Sequence, residues 1–97
     1  MRKLAKTDAN QGSIVELLRH AGARVCLIHQ VGGGVPDLLI GYSGKLALVE
    51  VKDGDKAPSK QRLTPDEERW HRAWAEYPVF VVASDDEALA MLRQLQG

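Results

Sequence analysis

Three charged residues interrupt two apolar segments of strand length, where a hydrophobic core would have none. Asp37 lies at the head of the first segment, residues 35–41, and Glu50 and Lys52 lie near the end of the second. Side chains two positions apart in a strand share a face, so Glu50 and Lys52 are predicted to project together. The link 41–45 holds two glycines, which is typical of an antiparallel hairpin. Pairing through that hairpin would bring Asp37 beside Glu50.

Two carboxylates and an ammonium group in one half-buried place need a balancing charge, because unpaired buried charge is costly. Asp37, Glu50 and the backbone carbonyl of Val51 offer hard oxygen ligands, which suit Mg²⁺ or Mn²⁺. Lys52 could then orient or help to deprotonate an attacking water, or stabilise charge that develops on phosphorus. The alternative is a surface salt bridge between Glu50 and Lys52, worth about 0 to 1 kcal/mol. The second carboxylate, from Asp37, favours the metal site.

The dipeptide Pro-Asp at 36–37, followed after twelve residues by Glu-Val-Lys at 50–52, resembles the signature of the PD-(D/E)XK nuclease superfamily. The chain is most similar to its small stand-alone VRR-NUC domains of phages and bacteria, which are related in fold to Holliday junction resolvases. The similarity extends from about residue 8 to residue 90 and includes the Leu-Thr-Pro segment at 63–65. It implies an α/β fold with a restriction-endonuclease-like core.

The resemblance also implies a Mg²⁺- or Mn²⁺-dependent endonuclease that hydrolyses DNA phosphodiester bonds. Asp37, Glu50 and Lys52 would be the catalytic residues, and Asp37, Glu50 and Val51 would bind the metal. A homodimer that cuts branched DNA, such as a four-way junction, is implied as well. Two sites related by a two-fold axis would suit a junction of near-twofold symmetry.

Basic and glycine-rich segments flank the proposed site and are candidates for contact with DNA. The polar segment 53–62 is predicted to be a mobile surface loop that follows the DNA backbone, with a solvated charged loop as the alternative. The glycine run 32–34 permits close approach of a phosphate. It lacks the strand-then-helix setting of nucleotide-binding loops, so no nucleotide cofactor is expected. The candidate substrate contacts are Lys56, Lys60, Arg62, Gly33 and Gly34.

A second group of candidates comes from the ends of predicted elements. Relatives carry an acidic residue near the start of the first helix, where this chain has Asp8, which could be only an N-cap. His29 ends the first strand, and a histidine there is more often structural than a ligand. Relatives often have a glutamine where Glu67 lies, so Glu67 could serve only as a helix cap. The secondary candidates are Asn10, Gln11, Asp8, Glu67 and His29.

Apolar periodicity and capping residues predict the order helix, strand, strand, strand, helix, strand, helix, or αβββαβα. The first helix is expected from about residue 8 or residue 10 to residue 21, the second from Thr64 and the third from Ser84, the last two opened by capping boxes. The first strand is expected over residues 24–30 and the last, over 79–83, as a buried central strand. The result is an α/β fold with a four-stranded mixed sheet flanked by helices.

Two apolar features are expected to be buried. Cys26, the one cysteine, lies in an apolar segment and is predicted to be a small core residue that forms no internal disulfide. In the second helix, an apolar stripe with helical spacing is interpreted as core or a dimer contact rather than a platform for base stacking. Its members are Trp70, Ala73, Trp74 and Tyr77.

Length and charge limit the remaining possibilities. A chain of 97 residues predicts a single domain over residues 1–97, with a flexible basic arm over 1–7, and the resemblance implies that this domain is nuclease-like. The net charge is zero, which argues against non-specific coating of nucleic acid. Ten basic and six acidic residues nevertheless give residues 1–63 a charge of +4. Neither a membrane span nor a signal peptide is apparent, so a cytoplasmic location is expected. The resemblance implies that the host cell is bacterial, with a bacterial or phage-encoded gene.

Two other functions remain open. The chain could be a nuclease-fold module that binds DNA or a partner protein without cutting, as its neutral charge and Glu67 would allow. It could also be an interaction domain whose charged residues only stabilise the sheet. Substitution of Asp37 would then alter stability more than any DNA-dependent signal.

Overall fold

The computed structural model describes residues 10–97, so the predicted arm at 1–7 and Asp8 lie outside the described part. The sheet has four strands and is flanked by helices, which confirms the α/β class with a mixed sheet. In chain order the elements are α1 Gln11–His20, β1 Arg24–Leu27, β2 Leu38–Tyr42, β3 Lys45–Val51, α2 Pro58–Gln61, α3 Pro65–Ala73, β4 Val79–Val82 and α4 Asp85–Gln96.

The strands lie in the order β1-β2-β3-β4, and only the last pair is parallel. β2 and β3 form the predicted hairpin, joined by Ser43 and Gly44 with φ of 54° and 78°. Two successive positive φ values give the turn whose twist matches that of antiparallel strands, and glycine adopts them without strain. β4 reaches its place beside β3 through the crossover that contains α2 and α3.

Alternation along the strands gives the sheet two different faces. The inner face carries fully buried side chains that pack against α1 and α4. Its central members are Leu38, Ile40, Ala47, Val49 and Val51.

The opposite side, called here the outer face, shows a row of side chains from all four strands. Cys26 pairs with Leu39, Leu39 with Leu48, and Leu48 with Val79. Neither α1 nor α4 packs on this row, because both helices contribute to the core on the inner side. Glu50 follows Leu48 by two residues in β3, so the candidate site lies on the outer face.

The helix starts follow their capping residues closely. Thr64 and Glu67 form the predicted capping box at the start of α3, with Pro65 in the first turn. At α4 the Ser84 side chain accepts a hydrogen bond from the Glu87 amide, whereas the Glu87 carboxylate accepts from Ala83 rather than from Ser84. The apolar face of α4 is buried and consists of Ala88, Met91, Leu92 and Leu95.

Several predicted details were wrong. The last strand is not central but forms an edge of the sheet, and Val81 is 45% exposed. Cys26 is exposed rather than buried, because it projects from the outer face. The first strand ends at Leu27, and the segment predicted as a loop after Lys52 contains the one-turn helix α2.

The aromatic stripe of α3 is also not part of the core. No residue of α3 is buried, and Trp74 and Tyr77 are 41% and 54% exposed. The rings of Trp70 and Trp74 instead stack on each other at 4.9 Å, and Tyr77 follows at 5.5 Å from Trp74. None of the helices within residues 10–97 is both long and apolar enough to cross a membrane.

Candidate functional site

The hairpin register brings Asp37 and Glu50 together. Leu38 pairs with Val49, so the next residues outward, Asp37 and Glu50, lie opposite each other. The amide of Val51 donates a hydrogen bond of 2.8 Å to Oδ2 of Asp37, which fixes that carboxylate beside β3. The charge of Asp37 acts on the carboxyl group of Glu50. The juxtaposition expected from the sequence is therefore present.

Glu50 is an almost fully buried acid. Its side chain is 3% exposed, and its Oε1 has no hydrogen-bond donor within residues 10–97. Burial raises the pKa of Glu50 to about 9, with further contributions from the charge and hydrogen bond of Asp37 and the charge of Glu67. Lys52 opposes this rise only in part. A buried carboxyl group with this environment is stabilised by a proton or by a cation that takes the proton's place.

Lys52 is held by an acid of α3. Its Nζ lies 2.8 Å from Oε1 of Glu67, with 10% of the lysine side chain and 18% of the glutamate side chain exposed. Burial acts to raise the pKa of Glu67. The hydrogen bond and charge of Lys52, together with the Thr64 amide, outweigh burial and leave that pKa below its ordinary value. Glu67 therefore both caps α3 and binds Lys52, so it is more than a cap.

Asn10 and Gln11 approach the site from the start of α1. The Asn10 side-chain amide donates hydrogen bonds of 3.0 Å to the carbonyls of Lys52 and Ala83, which ties α1 to the ends of β3 and β4. Nε2 of Gln11 lies 3.4 Å from Nδ1 of His29, so His29 makes the structural contact considered for it. Oε1 of Gln11 is buried without a partner among the described residues.

Of the candidate glycines, Gly34 is a packing position. A Cβ on Gly34 would lie 2.3 Å from the carbonyl oxygen of Asp66, and its φ is +85°. The glycine run therefore lets the chain before Asp37 lie directly against the first turn of α3. Gly33 has a positive φ as well, but no atom lies within 4 Å of its hypothetical Cβ, so it faces open space.

The candidate basic contacts lie on the segment between the two partners of the buried ion pair. Lys52 and Glu67 close residues 53–66 into a loop, and Lys56, Lys60 and Arg62 are exposed on that loop. Gln61 ties the loop internally with hydrogen bonds to the carbonyls of Gly54 and Lys56. The three cations can thus reach solvent from a loop anchored at the site.

His71 is a neighbour of the site that the sequence patterns did not single out. It follows Glu67 by one helical turn, and its Nε2 is buried without a partner within residues 10–97. Burial lowers the pKa of His71, the Glu67 carboxylate opposes this, and the Lys52 ammonium adds to it. Spacing of four residues from Glu67 on α3 was the one signal that could have identified it.

Comparisons with protein-family models, with curated proteins and with solved structures gave no match. The chemistry of the side chains that meet at the ends of β2 and β3 is therefore the basis for inferring a function.

The donor atoms at the site fit a hard divalent cation that keeps part of its water shell. Within residues 10–97 no group of three or more His, Cys, Asp and Glu residues could hold a metal ion. Two carboxylates are present, however, and Oε1 of Glu50 lacks a donor. The N–H and C=O of an extended residue point to the same side, so the Val51 carbonyl lies on the side of Asp37. Mg²⁺ uses such sparse oxygen sites and completes its coordination with water or phosphate.

Proposed function

We propose that the chain is a Mg²⁺- or Mn²⁺-dependent endonuclease that hydrolyses DNA phosphodiester bonds. The observation that carries the proposal is the environment of Glu50, a buried acid that lies opposite Asp37 and has no donor for its Oε1 within residues 10–97. A structural acid in a small core would be expected to have its oxygens satisfied by donors. Two adjacent carboxyl groups left in this state are instead suited to share a cation.

In this proposal Asp37, Glu50 and the Val51 carbonyl hold the metal. When bound, the ion would supply positive charge that polarises a phosphate and lowers the pKa of a coordinated water. The ammonium group of Lys52 is held in place by its ion pair with Glu67. Its role is therefore to orient the attacking water and to stabilise the negative charge that develops on the phosphate. The side-chain amide of Asn10 donates to the carbonyls of Lys52 and Ala83 and so holds the ends of β3 and β4 together next to the site.

The substrate side of the proposal rests on charge. Lys56, Lys60 and Arg62 would bind the DNA backbone from the loop that Lys52 and Glu67 close. The finer parts of the proposal are a restriction-endonuclease-like core, action on branched DNA as a homodimer, and a cytoplasmic location in a bacterial host. The resemblance at residues 36–37 and 50–52 supports them.

Cleavage of four-way junction DNA and of the matching linear duplex tests the proposal, with Mn²⁺ or with a chelator. We expect the wild-type protein to cut only with metal, and Glu50→Gln to lower the rate at least about 100-fold. Glutamine has the shape and neutrality of the protonated acid, so this variant should stay folded. Glu16→Gln on the exposed face of α1 is the matched control and should cut normally. The proposed endonuclease activity would be refuted if neither DNA were cut in the presence of metal, or if Glu50→Gln cut at the wild-type rate.

A second candidate function is binding of DNA or a partner protein without cutting. The Lys52–Glu67 ion pair favours it, because a lysine already neutralised by a carboxylate is less available to a reacting phosphate. In that case affinity for branched DNA would survive Asp37→Asn and would not need a divalent metal. Binding measured with and without chelator separates the two functions.

A further inference from the structure

The loop 53–66 carries the candidate DNA-binding cations but has no hydrophobic core of its own. Between residues 54 and 62 the largest apolar side chains are those of Ala57 and Pro58, and α2 has no buried residue. Every residue in that range is exposed except Gln61, which is half-buried. Burial of apolar surface therefore cannot hold this loop in one conformation, so polar contacts must do so.

The start of the loop is attached to the end of β4. The amide of Gly54 donates a hydrogen bond of 3.1 Å to the carbonyl of Ala83, the residue that follows β4. A Cβ at position 54 would lie 2.6 Å from that carbonyl oxygen, so a larger residue would force the two backbones apart. The amides of Asp55 and Lys56 then bond to the side chain and the carbonyl of Asp53, which makes a compact turn. The first four residues of the loop are thus fixed relative to the sheet.

Gln61 ties the end of α2 back to this turn. Its Nε2 donates hydrogen bonds of 3.2 Å to the Gly54 carbonyl and of 2.6 Å to the Lys56 carbonyl. Both hydrogens of the side-chain amide are therefore used. This one side chain closes an inner ring within the larger loop that Lys52 and Glu67 close.

The three candidate cations depend on Gln61 for the positions of their backbones. Lys60 and Arg62 are its neighbours in sequence, and Lys56 provides one of the carbonyls to which it donates. The side chains of all three cations lie on the exposed surface of the loop. A flexible loop would lose conformational freedom when it binds DNA, and that loss weakens binding. A loop that is ordered beforehand avoids most of this cost.

We propose that Gln61 is a positioning residue for DNA, which holds Lys56, Lys60 and Arg62 in a fixed arrangement before the DNA backbone arrives. The inference rests on the proposed function, because it takes these three cations as the residues that bind phosphates. Gln61 itself binds no phosphate, since both its donors are bonded within the chain and its Oε1 can only accept. Its effect is on the affinity for DNA, and the chemical step at the metal site does not depend on it.

Gln61→Met is the variant that tests the proposal, because methionine has a similar length but no donor. Binding to four-way junction DNA can be measured by fluorescence anisotropy with Glu50→Gln as the common background, so that the DNA stays intact. The dissociation constant should rise about 10-fold, because the loop must then be ordered on binding. The slope of log affinity against log salt concentration should stay the same, because the same cations contact phosphate.

Two comparisons separate positioning from other effects. In the otherwise wild-type chain with Mn²⁺, Gln61→Met should raise KM for DNA and leave the cleavage rate at saturating DNA unchanged. Gln94→Met is the matched control, since Gln94 is an exposed glutamine of α4, outside the loop. It should bind and cut DNA as the wild type does.

Hydrogen exchange of the loop amides tests the ordering without any DNA. The amides of Lys56 and Lys60 donate to carbonyls within the loop, and they should exchange at least about 10-fold faster in Gln61→Met than in the wild type. The amide of Val51, which donates to Asp37, should keep its rate because the sheet stays folded.

Unchanged exchange of the loop amides would overturn the proposal, because Gln61 would then not order the loop. Wild-type affinity in Gln61→Met would also overturn it, since the order of the loop would not matter for DNA. A smaller salt slope would mean that a phosphate contact has been lost, and a lower rate at saturating DNA would place Gln61 in the chemical step; either result would contradict positioning. A wild-type chain that binds no DNA would instead refute the proposed function, and with it the phosphate contacts on which this inference rests.

Discussion

Asp37 and Glu50 lie opposite each other on two neighbouring apolar strands, and the charge of Asp37 adds to the burial that raises the pKa of Glu50 to about 9. A pKa of about 9 means that Glu50 carries a proton at neutral pH. The pair is therefore neutralised in part by a proton when no metal is present. The account of function depends on a cation replacing that proton.

The first prediction concerns stability and pH. Below about pH 4.5 Glu50 is protonated in the folded and the unfolded chain, whereas from there to about pH 9 only the folded chain keeps the proton. The free energy of unfolding should thus fall as pH rises through this window, by up to about 1.4 kcal/mol per pH unit. Glu50→Gln lacks this dependence and should be the more stable protein at pH 8. Urea unfolding of both proteins at several pH values measures the difference.

His71 acts in the opposite direction and does not disturb this comparison. Its pKa is lowered in the folded chain, so its contribution to stability is lost as pH falls through its ordinary value of 6.5. Both proteins contain His71, so its effect cancels in their difference. Parallel stability curves for the wild type and Glu50→Gln would contradict the raised pKa of Glu50.

The second prediction concerns metal binding. Because Glu50 carries a proton at pH 7, binding of Mn²⁺ should release about one proton per site. Isothermal titration calorimetry in two buffers of different ionisation enthalpy measures the number of protons released. The Glu50→Gln variant should bind more weakly and release none. Binding of equal strength in both proteins would place the metal elsewhere.

The third prediction compares two ion pairs of α3. Glu67→Gln removes the charge that holds Lys52 but keeps an oxygen for the helix cap, and it should cost roughly 1–3 kcal/mol because Lys52 stays buried. Asp66→Asn breaks the pair with Arg69, which is more than 60% exposed on both sides, and should cost less than about 0.5 kcal/mol. Thermal unfolding of the two variants measures the contrast. Equal costs would mean that Glu67 serves as a cap alone.

The fourth prediction separates steric contact from backbone strain at the glycine run. Gly34→Ala places a Cβ against the Asp66 carbonyl and should displace α3, with a loss of stability above about 2 kcal/mol. Gly32→Ala has a similar φ of +80° but open space around its Cβ, so only strain of about 1 kcal/mol is expected. Denaturant unfolding measures both. A Gly32→Ala variant as unstable as Gly34→Ala would show that the contact with α3 is unimportant.

Local signals in the sequence determined much of the site. The two-residue turn at Ser43 and Gly44 fixes the hairpin register, and the register alone places Asp37 opposite Glu50. The Thr64 capping box fixes the start of α3 in the same way. These features depend on residues close in sequence, so they could be predicted without knowledge of the packing.

The missed features depend on which surfaces the helices cover. An apolar segment such as 79–83 is compatible with a central or an edge strand, because strand order is set by tertiary packing. The same reason explains why Cys26 is predicted to be a core residue, and why Trp74 is predicted to be core or a dimer contact: apolar character does not reveal which face of the sheet lacks a helix. The ion pair between Lys52 and Glu67 joins a strand to a helix across a loop, which no local pattern encodes.

An anomalous difference map from crystals soaked in Mn²⁺ tests the central claim most directly. The account predicts one peak about 2.1 Å from a carboxylate oxygen of Asp37, a carboxylate oxygen of Glu50 and the Val51 carbonyl. A map without a peak there, from crystals soaked at pH 8 and high Mn²⁺, would contradict it.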